Sequence, residues 1–65
     1  MSKFGEMADQ ILEMLENGDK VDIEAVRIRM LLKDTAVLNF MDEFGMIELK
    51  EGSVRITKSG LELLN

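Results

Sequence analysis

The stretch FGMIELKEGSVRITKSGLELL, residues 44–64, decides the fold of this 65-residue chain. Gly45 follows a segment of helical period and predicts the end of a helix. Val54 and Ile56 then alternate with polar neighbours, which is typical of a half-buried strand. Glu51-Gly52 separates this run from an earlier strand-like run, at the place where a tight turn needs a residue that tolerates positive φ. The stretch therefore predicts a helix end followed by a short β-hairpin.

The end of the same stretch predicts a short closing helix. Thr57 is a suitable N-cap, because its hydroxyl can accept a hydrogen bond from a backbone N–H of the first helical turn. Leu61 and Leu64 are three residues apart and are expected to face inward. Several apolar residues are expected to make contacts around Gly45, and they are Met41, Phe44, Met46, Ile47 and Leu49.

The first segment of the chain predicts an amphipathic helix that ends at Asn17-Gly18. Its apolar residues recur at spacings of three and four, and they are Phe4, Met7, Ala8, Ile11, Leu12 and Leu15. Its acidic residues project from the other side, and they are Glu6, Asp9, Glu13 and Glu16. We interpret the acidic side as solvated surface, with docking of a basic partner as the alternative.

The segment from Val21 to Leu32 leaves two interpretations open. A helix is favoured, because Asp22 can cap it and good helix formers follow. Such a helix would have two apolar faces, and the surplus face, formed by Ala25, Ile28 and Leu32, predicts a homodimer seam. The alternative is an extended segment, because VDI and VRIRM alternate with period two and would place Arg27 and Arg29 on the polar side. A narrower alternative is that Val21 alone belongs to a short strand that pairs with the hairpin.

The third helix is predicted from about Asp34, as its N-cap, to Phe44. Its inner stripe would consist of Val37, Leu38, Met41 and Phe44, with Phe40 at the margin. Its outer face would then carry Thr35, Ala36, Asn39, Asp42 and Glu43.

The glycine-apolar-isoleucine run at residues 45–47, the hairpin and the I-T-x-x-G-x-x-L-L run at residues 56–64 resemble the winged helix-turn-helix family, especially small archaeal and MarR-like transcription regulators. The resemblance covers nearly the whole chain. It implies one α+β, mainly α domain over residues 1–65, with a three-helix bundle, a short strand before the second helix, a small antiparallel hairpin wing and a short C-terminal helix. It also implies double-stranded DNA binding as a small transcriptional regulator.

The resemblance further implies which residues would contact DNA. The third helix would lie in the major groove, where Thr35 and Asn39 would meet base edges or phosphates. Basic residues of the second helix, the start of the third helix and the wing would contact phosphates, and they are Arg27, Arg29, Lys33, Lys50, Arg55 and Lys58.

Charge supports a competing hypothesis. Thirteen acidic residues and eight basic residues give a net charge of −5, whereas affinity for DNA comes largely from neutralising phosphates. The alternative is a protein-protein interaction module that keeps the fold but does not bind DNA. It would use Glu13 and Glu16 of the acidic helix, or the surplus apolar face of Ala25, Ile28 and Leu32.

Composition argues against other functions. The chain has no His and no Cys, so the usual zinc ligands are missing and no metal or other cofactor is expected. No Gly-rich phosphate loop or nucleophile elbow occurs, and we do not expect an enzyme. The longest apolar run is far shorter than the roughly 20 residues of a membrane span. We therefore expect a cytoplasmic protein.

Overall fold

Four helices and three short strands make up the part of the chain that the structure describes. The computed structural model describes residues 3–64, with side chains from Gly5 to Leu64, so the predicted inward position of Phe4 lies outside the described side chains. In chain order the elements are α1 (Lys3–Met14), β1 (Val21–Asp22), α2 (Ile23–Arg29), α3 (Ala36–Glu43), β2 (Ile47–Lys50), β3 (Ser53–Ile56) and α4 (Lys58–Leu63). The predicted α+β class with more helix than strand is confirmed.

The three strands form one antiparallel sheet in the order β1-β3-β2. Val21 pairs with Val54, and Ile47 pairs with Ile56. Both residues of the Glu51-Gly52 turn have positive φ, 50° and 79°, which is the two-residue turn that suits the twist of paired strands. The predicted hairpin is confirmed, and the short strand β1 extends it.

The core collects apolar side chains from α1, α2, α3, the two longer strands and the loops that follow α1 and α2. Among the described residues its members are Ala8, Ile11, Leu12, Leu15, Val26, Leu32, Leu38, Met41, Ile47, Val54 and Ile56. Helix α1 supplies more of them than any other element, as its three- and four-residue spacing predicts. Each fully buried Val, Leu, Ile or Met side chain stabilises the fold by about 1.5–3 kcal/mol, so burial of Ile11 and Leu12 makes α1 an important source of stability.

Helix α4 is held against the loop between α3 and β2 by Thr57. The Thr57 hydroxyl oxygen accepts a hydrogen bond from the Gly60 N–H at 3.1 Å, which confirms the predicted N-cap. The same hydroxyl donates to the Gly45 carbonyl. The Thr57 N–H donates to the Met46 carbonyl at 3.1 Å. The predicted inward position of Leu61 is wrong, because the backbone at Gly60 is the part of α4 that is buried and Leu61 is exposed.

The start of α2 lies beside the hairpin turn. The Ile23 N–H donates to the Gly52 carbonyl at 2.9 Å, and the Asp22 carboxylate accepts from the Glu24 N–H at 2.8 Å, as predicted for the N-cap. Val21 is in strand β1 and not in the helix. The strand alternative for this residue is therefore the correct one.

The end of α2 differs from the prediction of a helix that continues to Leu32. The Leu32 N–H donates to the Arg27 carbonyl at 2.8 Å, and the Leu31 N–H donates to the Ile28 carbonyl at 3.1 Å. These two bonds close the helix in a Schellman motif, in which the residue after the cap has positive φ. That residue is Leu31, with φ of 56°. The reversal turns Leu32 into the core and leaves Leu31 in solvent.

The N-cap of helix α3 lies one residue later than predicted, and one side chain near the end of the helix points differently. Thr35 is its N-cap residue, while the Asp34 carboxylate accepts from the Ala36 N–H at 2.9 Å. Gly45, with φ of 77°, ends the helix as predicted. Phe44 was expected to face inward but is largely exposed. It packs edge to face on Phe40, with ring centroids 4.5 Å apart.

We predict that Gly60→Ala destabilises the domain strongly. A Cβ at this position would lie 2.1 Å from the Met46 carbonyl oxygen and 2.8 Å from Ile56 Cγ1. Forcing a methyl group into such a contact costs about 1–3 kcal/mol, because backbone must move. Urea unfolding followed by circular dichroism measures the change. Ser59→Ala, an exposed neighbour on α4, is the control and should stay within about 0.5 kcal/mol of wild type; equal stability of the two variants would contradict the packing.

We also predict that Leu31→Gly stabilises the domain. An L-residue at positive φ is strained by roughly 1–2 kcal/mol, and glycine relieves the strain while losing more chain entropy, so a net gain of about 0.5–1 kcal/mol is expected. The matched control is Gly45→Leu, which creates the same strain at the end of α3, where a Cβ meets no atom within 4 Å. Thermal unfolding should move up for the first variant and down for the second. A fall for Leu31→Gly would show that the side chain itself holds the turn.

Candidate nucleic-acid interface

The polar flank of α3 brings two predicted DNA-contacting residues together. Asn39 follows Thr35 by one helical turn, and its amide donates to the Thr35 hydroxyl at 3.4 Å. Asn39 is exposed and Thr35 is half-buried. The long bond leaves most of the donors and acceptors of the amide open to solvent, so Asn39 retains the groups that a bidentate contact to adenine requires.

The acidic residues of α3 have different surroundings. The Asp42 carboxylate accepts from the Leu49 N–H at 3.4 Å, and β2 is an edge strand of the sheet. Asp42 therefore occupies an edge N–H that would otherwise be open to a further strand. Glu43 is exposed, and it places a negative charge on the outer face of α3 that would repel phosphates.

Arg27 is the one predicted phosphate contact that is engaged inside the chain. Its guanidinium forms an ion pair with Glu24 at 2.8 Å, and another of its N–H groups donates to the Leu32 carbonyl at 3.3 Å. Hydrogen bonding by Arg27 holds the pKa of the Glu24 carboxyl below its ordinary value, and the same contact raises the pKa of Arg27. The pair is exposed to water and adds little stability. Arg27 thus links α2 to the loop that follows it.

The other predicted phosphate contacts are exposed. They are Arg29, Lys33, Lys50, Arg55 and Lys58. Within residues 3–64 none of these five makes an ion pair. Arg29 lies on α2, Lys33 precedes α3, Lys50 and Arg55 lie on the hairpin, and Lys58 begins α4. All five are therefore available to an anionic ligand.

The outer face of the sheet carries a cation that sequence reasoning missed. Lys20 immediately precedes β1 and lines the same surface depression as Lys50 and Arg55. The signal was available, because side chains alternate along a strand and an inward Val21 requires an outward Lys20. A short strand at Val21 was among the alternatives, but its alternation was not extended back to Lys20.

The predicted protein-interaction residues divide into exposed and buried sets. Glu13 and Glu16 are exposed on and after α1. Ile28 is 61% exposed, but Ala25 is half-buried and Leu32 is only 6% exposed. The predicted apolar face of Ala25, Ile28 and Leu32 is not formed, because the chain reverses at Leu31 and Leu32 turns into the core. Leu31 takes its place and is 90% exposed.

Two further kinds of feature, a metal-binding cluster and a membrane-spanning helix, are absent from the described residues. Residues 3–64 contain no cluster of three or more side chains suited to holding a metal ion. None of the described helices has the length and apolar character needed to cross a bilayer.

Comparisons with protein-family models, with curated proteins and with solved structures give no match to this chain. Function is therefore inferred from the residues themselves.

Proposed function

We propose that the chain is a winged helix-turn-helix domain that binds double-stranded DNA as a small transcriptional regulator. The order of helices and strands supports this assignment, since a short strand before α2 pairs with a hairpin after α3. The hairpin would be the wing. Its tip is the two-residue turn Glu51-Gly52, and the Gly52 carbonyl accepts from the Ile23 N–H at the start of α2, so wing contacts would come from side chains of the strands.

The observation that carries the proposal is the separation of unpaired basic residues from the acidic helix. The five predicted phosphate contacts without ion pairs lie on α2 or after it, and Lys20, which is also exposed and makes no ion pair within the described residues, follows α1. Glu6, Asp9, Glu13 and Glu16 lie on or just after α1. Phosphate contacts release counterions, and five contacts would give a salt slope of at most about four to five. A net charge of −5 opposes DNA at long range, so binding depends on close contacts and falls steeply with salt.

Base recognition in this proposal belongs to Asn39, with Thr35 beside it. Helix α3 has eight residues and is about 12 Å long, which limits it to a few contacts in the groove. Ala36 and Glu43 also lie on the exposed side of α3. The Ala36 methyl group suits a thymine methyl and the Glu43 carboxylate suits a cytosine amino group, and neither suits a phosphate. The polar flank of α3 is thus its reading surface.

We predict that single substitutions separate phosphate contacts from base contacts. Arg55→Ala and Lys33→Ala should weaken binding to all duplexes alike, and each should lower the salt slope by about one. Asn39→Ala should cost about 1–3 kcal/mol at a preferred site only. Fluorescence anisotropy with a duplex library and then with a selected site measures both effects.

The control for this experiment is Arg27→Ala. It changes net charge as Arg55→Ala does, but Arg27 is bonded to Glu24 and Leu32, so the salt slope should stay at the wild-type value. A slope that falls equally in both variants would mean that only net charge matters. Failure of the wild-type protein to bind duplex DNA at low salt and micromolar concentration would overturn the proposed function.

A second candidate function is protein-protein interaction without DNA binding. It is favoured by Ile28 and Leu31, two exposed apolar residues of which Leu31 is held at positive φ. A strained residue that glycine would replace at lower energy is often retained for a contact. In a monomer these side chains remain in water, whereas a second copy or another protein could cover them.

We predict that Ile28→Glu abolishes any self-association of the wild-type protein while the helical signal is retained. A buried charge without a partner is strongly unfavourable at an interface. Leu63→Glu is the matched control, because Leu63 on α4 is 60% exposed and Ile28 is 61% exposed. Sedimentation equilibrium measures the mass of all three proteins. A wild-type monomer at high micromolar concentration would exclude the homodimer seam.

A further inference from the structure

A solvent-open depression of about 270 Å³ lies on the outer face of the sheet. Three cations line it, Lys20, Lys50 and Arg55, and the half-buried Ser53 lies among them. The strand pattern explains why these side chains converge. Apolar residues alternate with polar ones on both hairpin strands and are buried or half-buried on the inner face, so the intervening polar residues project outward.

The strand register places the cations on neighbouring strands. Ser53 pairs with Lys50 across the hairpin, and Arg55 is two residues further along the same face. Val21 of β1 pairs with Val54, so Lys20, one residue earlier on an antiparallel strand, lies level with Arg55. Two of the positive charges therefore come from β2 and β3, and the third comes from the residue that precedes β1.

Two carboxylates also line the depression, Glu48 and Glu51. Glu48 stands directly across from Arg55 in the register, yet the structure has no ion pair between any charged residues of this face. The cations therefore keep their hydrogen-bonding capacity and outnumber the carboxylates. A ligand with several anionic oxygens could accept from lysine ammonium, arginine guanidinium and serine hydroxyl groups at once.

We propose that this depression binds a phosphate oxyanion and that Lys20 is a phosphate-binding residue. The ligand assigned is a phosphodiester of duplex DNA, which rests on the proposed function; inorganic phosphate is the other source of the same chemistry. The backbone of the duplex then crosses the sheet from Arg55 to Lys20. The negative residues Glu48 and Glu51 limit the affinity, and Glu48 is the one that faces a binding cation directly.

Salt titrations of duplex binding test the role of Lys20. Lys20→Ala should lower the salt slope by about one for every sequence, and Glu48→Gln should strengthen binding at low salt. Gln10→Glu is the control, because it makes the same change in net charge at an exposed position of α1 and should leave the slope unchanged. Wild-type binding with equal slopes for Lys20→Ala and Gln10→Glu would overturn this inference and leave the proposed function standing.

A second experiment, with inorganic phosphate, decides whether the ligand of the depression is a phosphodiester of DNA or free phosphate. If the wild-type protein does not bind duplex DNA, the proposed function fails, and amide chemical shifts are then compared in phosphate and in chloride at equal ionic strength. Phosphate-specific shifts confined to residues 20, 50, 53 and 55, and lost in Lys20→Ala, would support the site with free phosphate as its ligand. Identical spectra in the two salts would overturn the site as well. Unchanged unfolding midpoints verify that each variant is folded.

Discussion

The contact between the backbone of α4 and the Met46 carbonyl is the constraint on which the rest of the structure depends. Gly60 allows that contact because it has no side chain, and Thr57 closes it by bonding the Gly45 carbonyl and the Gly60 N–H with one hydroxyl. The end of β3 is thereby joined to the loop that starts β2. Once both ends of the hairpin are held, its register follows, and with it the inward position of Ile56 and the outward position of the cationic residues.

A Schellman motif ends α2 and another ends α3, and the residue at positive φ differs between them. Both close a helix by bonding the last carbonyls, from Leu31 and Leu32 in one case and from Gly45 and Met46 in the other. In the second motif glycine adopts positive φ at no steric cost. In the first, the bonds and the burial of Leu32 outweigh the strain on Leu31, because an open helix end would leave its carbonyls unpaired. The domain therefore accepts an exposed leucine as the consequence of placing the next one in the core.

Sequence reasoning succeeded where the signal was local and failed where packing decided. The turn at Glu51-Gly52, the caps at Asp22 and Thr57 and the helix end at Gly45 depend on residues within a few positions of each other. The inward prediction for Leu61 failed because it treated α4 as an amphipathic helix, whereas α4 approaches the core with its backbone. The prediction that Leu32 lies on an exposed helix face failed because helical periodicity assumes an uninterrupted helix, whereas the chain reverses at Leu31. The polar flank of α3 could be predicted, but Arg27 was expected to contact phosphate because the sequence did not show that it would pair with Glu24. Lys20 was missed because the strand alternation at Val21 was not extended back by one residue.

The charge arrangement determines what kind of binding this domain could support. Acidic residues on α1 and a net charge of −5 remove the long-range attraction that speeds association of basic proteins with DNA. Arg27 and Asp42 are already bonded within the chain, so they are less available to a ligand. What remains is a small set of unpaired cations interspersed with Glu48 and Glu51 on the sheet. Such a surface attracts phosphate only within about a Debye length, roughly 8 Å at physiological salt, so affinity for nucleic acid would be short-ranged, dependent on fit, and lost when a few cations are removed.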